Sequence, residues 1–122
     1  MLKISPEQMQ VLQLEEDRKF ARVVAAYLRT EHSDAVAVLD SANLEARILM
    51  GFTAARRHRL TWRSSLQAFV VLMFLTSPRF DEHPAVQRVL DDPALAANSQ
   101  LDVLMERTSA ADWAAIRAAA GL

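Results

Sequence analysis

The sequence contains no cysteine, and only two glycines and four prolines occur among its 122 residues. The lack of cysteine excludes disulfide bonds and thiol catalysis, and it fits a reducing compartment. Glycine and proline turn a chain between strands, so their scarcity argues against a β-protein. Alanine, leucine, arginine and glutamate, which favour helices, are plentiful instead. The composition therefore predicts an all-α protein.

Long hydrophobic runs are also missing. The longest, residues 68–75, has eight residues, whereas a membrane helix needs about 20. The segment from Met1 to Glu7 shows no apolar core of the kind that a secretion signal carries. We therefore expect a cytoplasmic protein without a membrane span.

Neither sign of charge dominates the chain. There are 14 Lys and Arg residues against 15 Asp and Glu residues, which gives a net charge of −1. A nearly neutral chain has no overall attraction to nucleic acid or to anionic lipid. The length fits a single helical domain over residues 1–122, large enough to bury a core without disulfides or metal.

Capping residues and prolines divide the chain into five to six predicted helices. Ser5, Pro6 and Gln8 form a capping-box pattern that begins a first helix, which should run to about Thr30. Its apolar residues recur at helical spacing, and they are Met9, Leu12, Phe20, Val23, Val24, Tyr27 and Leu28. The later helices are expected at about residues 41–58, 62–76, 84–90, 99–107 and 109–121, with a short turn at residues 35–39. Asp40 or Ser41 should cap the second helix, and Thr61 the third.

The helix near residues 62–76 is the most apolar segment. A helix that is apolar on most sides is expected to lie at the centre of a bundle, covered by its neighbours. The stretch from Phe69 to Leu75 is also compatible with a buried strand, but the chain offers no second strand to pair with it. We therefore predict a compact bundle with this helix central. Gly51, inside the second helix, is typical of a close approach between helices.

The most visible charged feature is a basic segment, residues 56–63. It contains Arg56, Arg57, His58, Arg59, Trp62 and Arg63. Arginines and an aromatic ring could bind phosphates and stack on bases. A helix-turn-helix reading would make residues 62–76 the recognition helix, but its apolar side chains cannot read base edges. The alternatives are a solvated helix end, where arginines offset the helix dipole, and a protein-binding surface.

No residue cluster predicts catalysis or metal binding. Asp81, Glu82 and His83 are adjacent, and adjacent residues rarely converge on one metal. His58 would approach this cluster only if the fold happened to bring it there. A polar loop that caps the helix opened by Pro84 explains the cluster instead. Because no nucleophile, oriented base and oxyanion site can be identified together, we predict no enzyme, no cofactor and no metal site.

Several segments, taken in order, resemble a known family. They are Ile4–Met9, Phe20, Tyr27–Arg29, Gly51–Thr61, Phe69–Phe74, Phe80–Asp81 and Val89–Pro93. Their order and spacing are similar to those of small helical proteins encoded beside type VI secretion spike and effector genes in Gram-negative bacteria. The resemblance spans nearly the whole chain. Where that family has a glycine before the Phe-Asp pair, this chain has Ser77, Pro78 and Arg79, so this loop differs.

The resemblance implies an accessory role rather than catalysis. The protein would be a co-chaperone or adaptor that shields apolar surface of a secretion effector and helps load it onto the spike. Its partner would be the effector, the effector's dedicated adaptor-chaperone, or both. Three alternatives remain: an immunity protein that neutralises a toxin, a transcriptional regulator, and a homodimeric helical module. A net charge of −1 is small for an immunity protein, and the apolar third helix argues against a regulator.

Candidate partner-binding residues are aromatic or arginine side chains near predicted helix ends. Tryptophan and arginine are enriched among the residues that dominate binding energy at protein interfaces. The candidates are Arg59, Trp62, Arg63, Phe80 and Trp113. Trp113 could equally pack on the core.

Overall fold

A computed structural model describes residues 5–119 and contains seven α-helices, one 3-10 turn and no strand within that range. The helices are α1 (Pro6–Glu31), α2 (Ser33–Val36), α3 (Ser41–Arg57), α4 (Arg63–Leu75), α5 (Pro84–Leu90), α6 (Gln100–Arg107) and α7 (Ala110–Ala119), with the 3-10 turn at Phe80–Glu82. The all-α prediction is confirmed. The predicted count of five to six is too low, because residues 33–36 form a short helix, α2, where a break followed by a turn at residues 35–39 was expected.

Side-chain caps define several helix starts. The Ser5 hydroxyl accepts a hydrogen bond from the Gln8 backbone N–H at 3.2 Å, and Oε1 of the Gln8 side chain accepts one from the Ser5 backbone N–H at 2.9 Å. Asp40 accepts the Asn43 N–H at 2.8 Å and so caps α3. Two expectations are wrong. First, the residue that caps α5 is His83 and not Asp81 or Glu82, because Nδ1 of His83 accepts a hydrogen bond from the Ala85 N–H. Second, α4 begins after Trp62, and Thr61 does not cap it.

The described chain divides into two compact units, and the division falls inside α3. The unit that ends at Met50 contains α1 and α2. Ala21, Val24 and Leu28 are buried on one face of α1. Arg29 donates hydrogen bonds to the Val36 and Leu39 carbonyl oxygens at 2.7 and 2.5 Å, which ties the end of α2 to α1.

The unit that begins at Gly51 contains a core of aromatic and aliphatic side chains. Phe69 and Phe80 pack with their ring centroids 4.9 Å apart. Gly51 allows α3 to approach α4 closely, because a Cβ atom there would lie 2.7 Å from Cγ2 of Val70. The predicted single domain over residues 1–122 stays a prediction.

Helix α4 does not match the prediction of a helix covered on most sides. Its buried residues are Ser65, Leu66, Phe69, Val70 and Met73. Ala68 and Leu75 are exposed on the same helix. An apolar sequence does not require complete burial, since more than half of a folded protein's surface comes from apolar atoms. Among the helices in residues 5–119, none is long and apolar enough to cross a membrane.

Candidate functional site

His58 lies just after α3 and bridges two carboxylates that are distant in sequence. Its Nε2 lies 2.9 Å from Oδ2 of Asp81, and its Nδ1 lies 2.7 Å from Oδ1 of Asp91. We call this arrangement the His58 bridge. The side chains of His58 and Asp81 are 12% and 15% exposed, whereas Asp91 is 49% exposed. The fold thus brings His58 to the acidic cluster that the sequence alone could not connect with it.

The geometry of the His58 bridge favours a charged imidazole. A neutral imidazole carries one N–H and could donate to only one of the two carboxylates, whereas the imidazolium donates to both. The hydrogen bond to Asp81 raises the pKa of His58 above 6.5, and Asp91 raises it further, although burial of the ring opposes both. The bridge therefore links the end of α3 to the 3-10 turn and to the end of α5.

The basic segment makes further hydrogen bonds to the loop between α5 and α6. Arg59 has a φ of 66°, in the left-handed region. Its guanidinium donates to the carbonyl oxygens of Asp92 and Leu95 at 3.0 and 3.2 Å. Arg59 is therefore an exposed arginine that is held to the main chain of this loop.

Asn98 holds the start of α4 from the same loop. Its Oδ1 accepts the backbone N–H groups of Thr61 and Trp62 at 2.8 and 2.9 Å, and its Nδ2 donates to the Thr61 hydroxyl. Asn98 therefore accepts hydrogen bonds from two backbone N–H groups just before α4, at the helix start that Thr61 was expected to cap. These contacts fix the backbone at Trp62.

Gln100 adds a buried contact to the same region. Its Nε2 donates to the His58 carbonyl oxygen at 2.7 Å, and the whole residue is buried. Within the described chain, Oε1 of Gln100 has no protein hydrogen-bond partner. The connection between α3 and α4 is thus held by hydrogen bonds from three places: the His58 bridge, the α5–α6 loop and the first residue of α6.

The five predicted contact residues lie in different environments. Trp62 is 63% exposed, and Arg63 next to it is exposed at the start of α4. Trp113 is half-buried on α7. Arg59 is exposed but held to the α5–α6 loop. Phe80 is only 1% exposed, so a partner could not touch its ring without rearrangement. The structure therefore keeps Trp62 and Arg63 together at the surface.

An exposed apolar surface on α1 was not anticipated. The apolar residues that recur along this helix do not form one buried face, because only Val24 and Leu28 among them are buried. Met9, Leu12, Val23 and Tyr27 are between 39% and 59% exposed. We call these four residues the α1 stripe. Its signal in the sequence was the width of the apolar pattern, which exceeds what one buried face requires.

A pocket of about 530 Å³ lies beside the 3-10 turn. Its lining residues are Ser77, Pro78, Arg79, Phe80, Glu82, His83, Pro84, Ile116 and Ala119. The Arg79 guanidinium donates to the Glu82 carboxylate at its rim. In the described part of the chain, no group of three or more His, Cys, Asp or Glu side chains is placed to hold a metal ion.

Comparisons of this chain with protein families, with curated proteins and with solved structures found no match.

Proposed function

We propose that this protein is a non-enzymatic accessory factor that binds another protein, with Trp62 and Arg63 at the contact surface. The observation that carries the proposal is the exposure of Trp62 on a backbone that Asn98 holds in place. A large aromatic side chain loses little conformational entropy on binding when its backbone is already fixed. Arg63 beside it supplies a planar hydrogen-bond donor.

The specific role that we propose is that of a cytoplasmic co-chaperone or adaptor that helps to load a type VI secretion effector. This role rests on the resemblance of the ordered sequence segments to accessory proteins of that system. The exposed tryptophan supports it physically, since an apolar anchor can cover apolar surface of an effector until loading. Binding must be reversible, so that the effector can be released at loading.

Co-purification with the proteins encoded beside its gene tests the proposal. The complexes would be measured by size-exclusion chromatography with light scattering. We expect a stable complex with an effector or its adaptor-chaperone, and we expect Trp62→Ala and Arg63→Glu to abolish it without loss of helicity. Met105→Ala is the matched control, because Met105 is an exposed apolar residue on α6 outside the proposed surface.

Two outcomes would contradict the proposal. The first is elution of the chain alone beside every neighbouring gene product. The second is a complex that inhibits a toxin's activity, which would identify an immunity protein.

A further inference from the structure

The α1 stripe lies on a different face of the helix from the residues that α1 buries in its own unit. At 3.6 residues per turn, the stripe lies roughly a third of a turn around the helix from the face of Ala21, Val24 and Leu28. Val24 and Leu28 are fully buried, whereas Val23 and Tyr27, one position earlier in each case, are exposed. The helix therefore presents two apolar faces, and only one of them is buried within its own unit.

The beginning of α1 buries no side chain within the described chain. From Pro6 to Glu16 every residue is exposed. An isolated helix shorter than about 12–15 residues is only marginally stable in water. The capping box at Ser5 contributes about 1 kcal/mol, but burial of an apolar face is what usually stabilises a helix in a protein. A second helix against the stripe would supply that burial.

The stripe has an approximate two-fold symmetry in its sequence. Met9 and Tyr27 are 18 residues apart, about five helical turns, and are centred on Arg18. Leu12 and Val23 are 11 residues apart, about three turns, and are centred between Asp17 and Arg18. Because both pairs share nearly the same centre, the stripe matches a copy of itself running in the opposite direction.

The charges between the apolar pairs fit the same symmetry. Glu16 and Lys19 are exposed, lie 3.7 Å apart and are also centred between residues 17 and 18. In an antiparallel pair of helices, Glu16 would face Lys19 of the second copy and Lys19 would face its Glu16. A parallel pair would instead place like charges together, which is unfavourable. The charges thus favour the antiparallel direction and the register centred between residues 17 and 18.

We propose that two copies of this chain associate through an antiparallel pairing of their α1 helices. Met9 of one copy packs against Tyr27 of the other, Leu12 against Val23, and Glu16 pairs with Lys19 across the two-fold axis. The contact is isologous, so each pair occurs twice. It extends over about 27 Å of helix, from 18 residues at about 1.5 Å each. This inference is independent of the proposed role of Trp62.

The oligomeric state of the full chain tests this pairing, measured by sedimentation equilibrium over a wide concentration range. We expect a mass of twice 13.6 kDa that falls to 13.6 kDa on dilution. Leu12→Asp should abolish the dimer. Val11→Asp is the matched control, because Val11 is the neighbouring residue, is 56% exposed against 48% for Leu12, and lies off the stripe. This control should leave the dimer intact.

A charge exchange tests the register. Glu16→Lys alone and Lys19→Glu alone should each be monomeric, because each places like charges opposite one another in the pair. An equimolar mixture of the two variants should form a heterodimer, since every facing pair is then oppositely charged. Weakening of α1 itself could not produce this recovery.

Three results would overturn the proposal. One is a chain that stays monomeric in sedimentation equilibrium up to its solubility limit. This result would overturn the proposal even if a different protein were found to bind the stripe. Another is a dimer that survives Leu12→Asp. The third is failure of the two charge variants to associate when mixed.

Discussion

Raising the pH should weaken the folded chain through the His58 bridge. The two carboxylates raise the pKa of His58 above its value of 6.5 in the unfolded chain. A group with a raised folded-state pKa contributes its full stabilisation below the unfolded pKa, and this contribution is lost as the pH rises through the folded pKa. The free energy of unfolding should therefore decrease as the pH rises from about 6.5 through the folded-state pKa of His58.

The size of the effect follows from the exposure of the two contacts. A hydrogen bond to a charged group contributes about 1.5–3 kcal/mol when shielded from water, and an exposed ion pair about 0–1 kcal/mol. Asp81 is 15% exposed and Asp91 49% exposed. We assign about 2 kcal/mol to the first contact and about 0.5 kcal/mol to the second. Replacing the imidazole should thus cost about 2.5 kcal/mol near pH 6.

His58→Phe is the informative variant, because it keeps a ring beside Phe69, whose centroid lies 6.2 Å from that of His58. Urea unfolding followed by far-ultraviolet circular dichroism would give the free energy of unfolding of both chains from pH 6 to pH 9.5. The difference between them should be largest at pH 6 and should shrink as the pH rises. Taking the difference cancels other groups that titrate in this interval. A difference that stays constant or grows with pH would refute the reasoning.

Two further substitutions test the packing and the start of α4. Gly51→Ala gains about 1 kcal/mol of helix propensity but places a Cβ atom 2.7 Å from Val70. Because overpacking costs about 1–3 kcal/mol, we expect a net loss of stability in urea unfolding, relieved by Val70→Ala in the same chain. Asn98→Ala removes the acceptor for two backbone N–H groups and places alanine at a φ of 69°. It should lower the free energy of unfolding by about 1–2 kcal/mol, whereas Asn98→Asp, which keeps the acceptor, should cost less.

Local signals in the sequence predicted several elements correctly. The capping box at Ser5 and the Asp40 cap are readable because the capping side chain and the backbone N–H that donates to it lie within three residues of each other. The start of α5 is readable because proline favours the first position of a helix. Gly51 was also identified as a packing position, since glycine inside a helix has a cost that close contact explains. The all-α class followed from composition.

Long-range contacts could not be predicted in the same way. His58 lies 23 residues from Asp81 and 33 from Asp91, and no periodicity links positions so far apart. Phe80 was chosen as a contact residue because it is aromatic and near a helix end. Residue type alone does not show whether such a side chain points into the core or into solvent.

The exposed stripe on α1 illustrates a further limit of pattern reading. Hydrophobic spacing shows that a helix has an apolar face, but it does not say whether the face is covered by the same chain or by another. Val23 and Val24 are chemically identical neighbours, and only the fold distinguishes the exposed one from the buried one.

The central claim is that a protein partner contacts Trp62. The chain has two tryptophans, so labelling it with fluorotryptophan and observing it by fluorine NMR gives two resonances, which Trp62→Phe and Trp113→Phe would assign. On addition of an unlabelled partner that co-purifies with the chain, we predict a large shift of the Trp62 resonance and a smaller change at Trp113. A complex that forms while the Trp62 resonance stays unchanged would contradict the account.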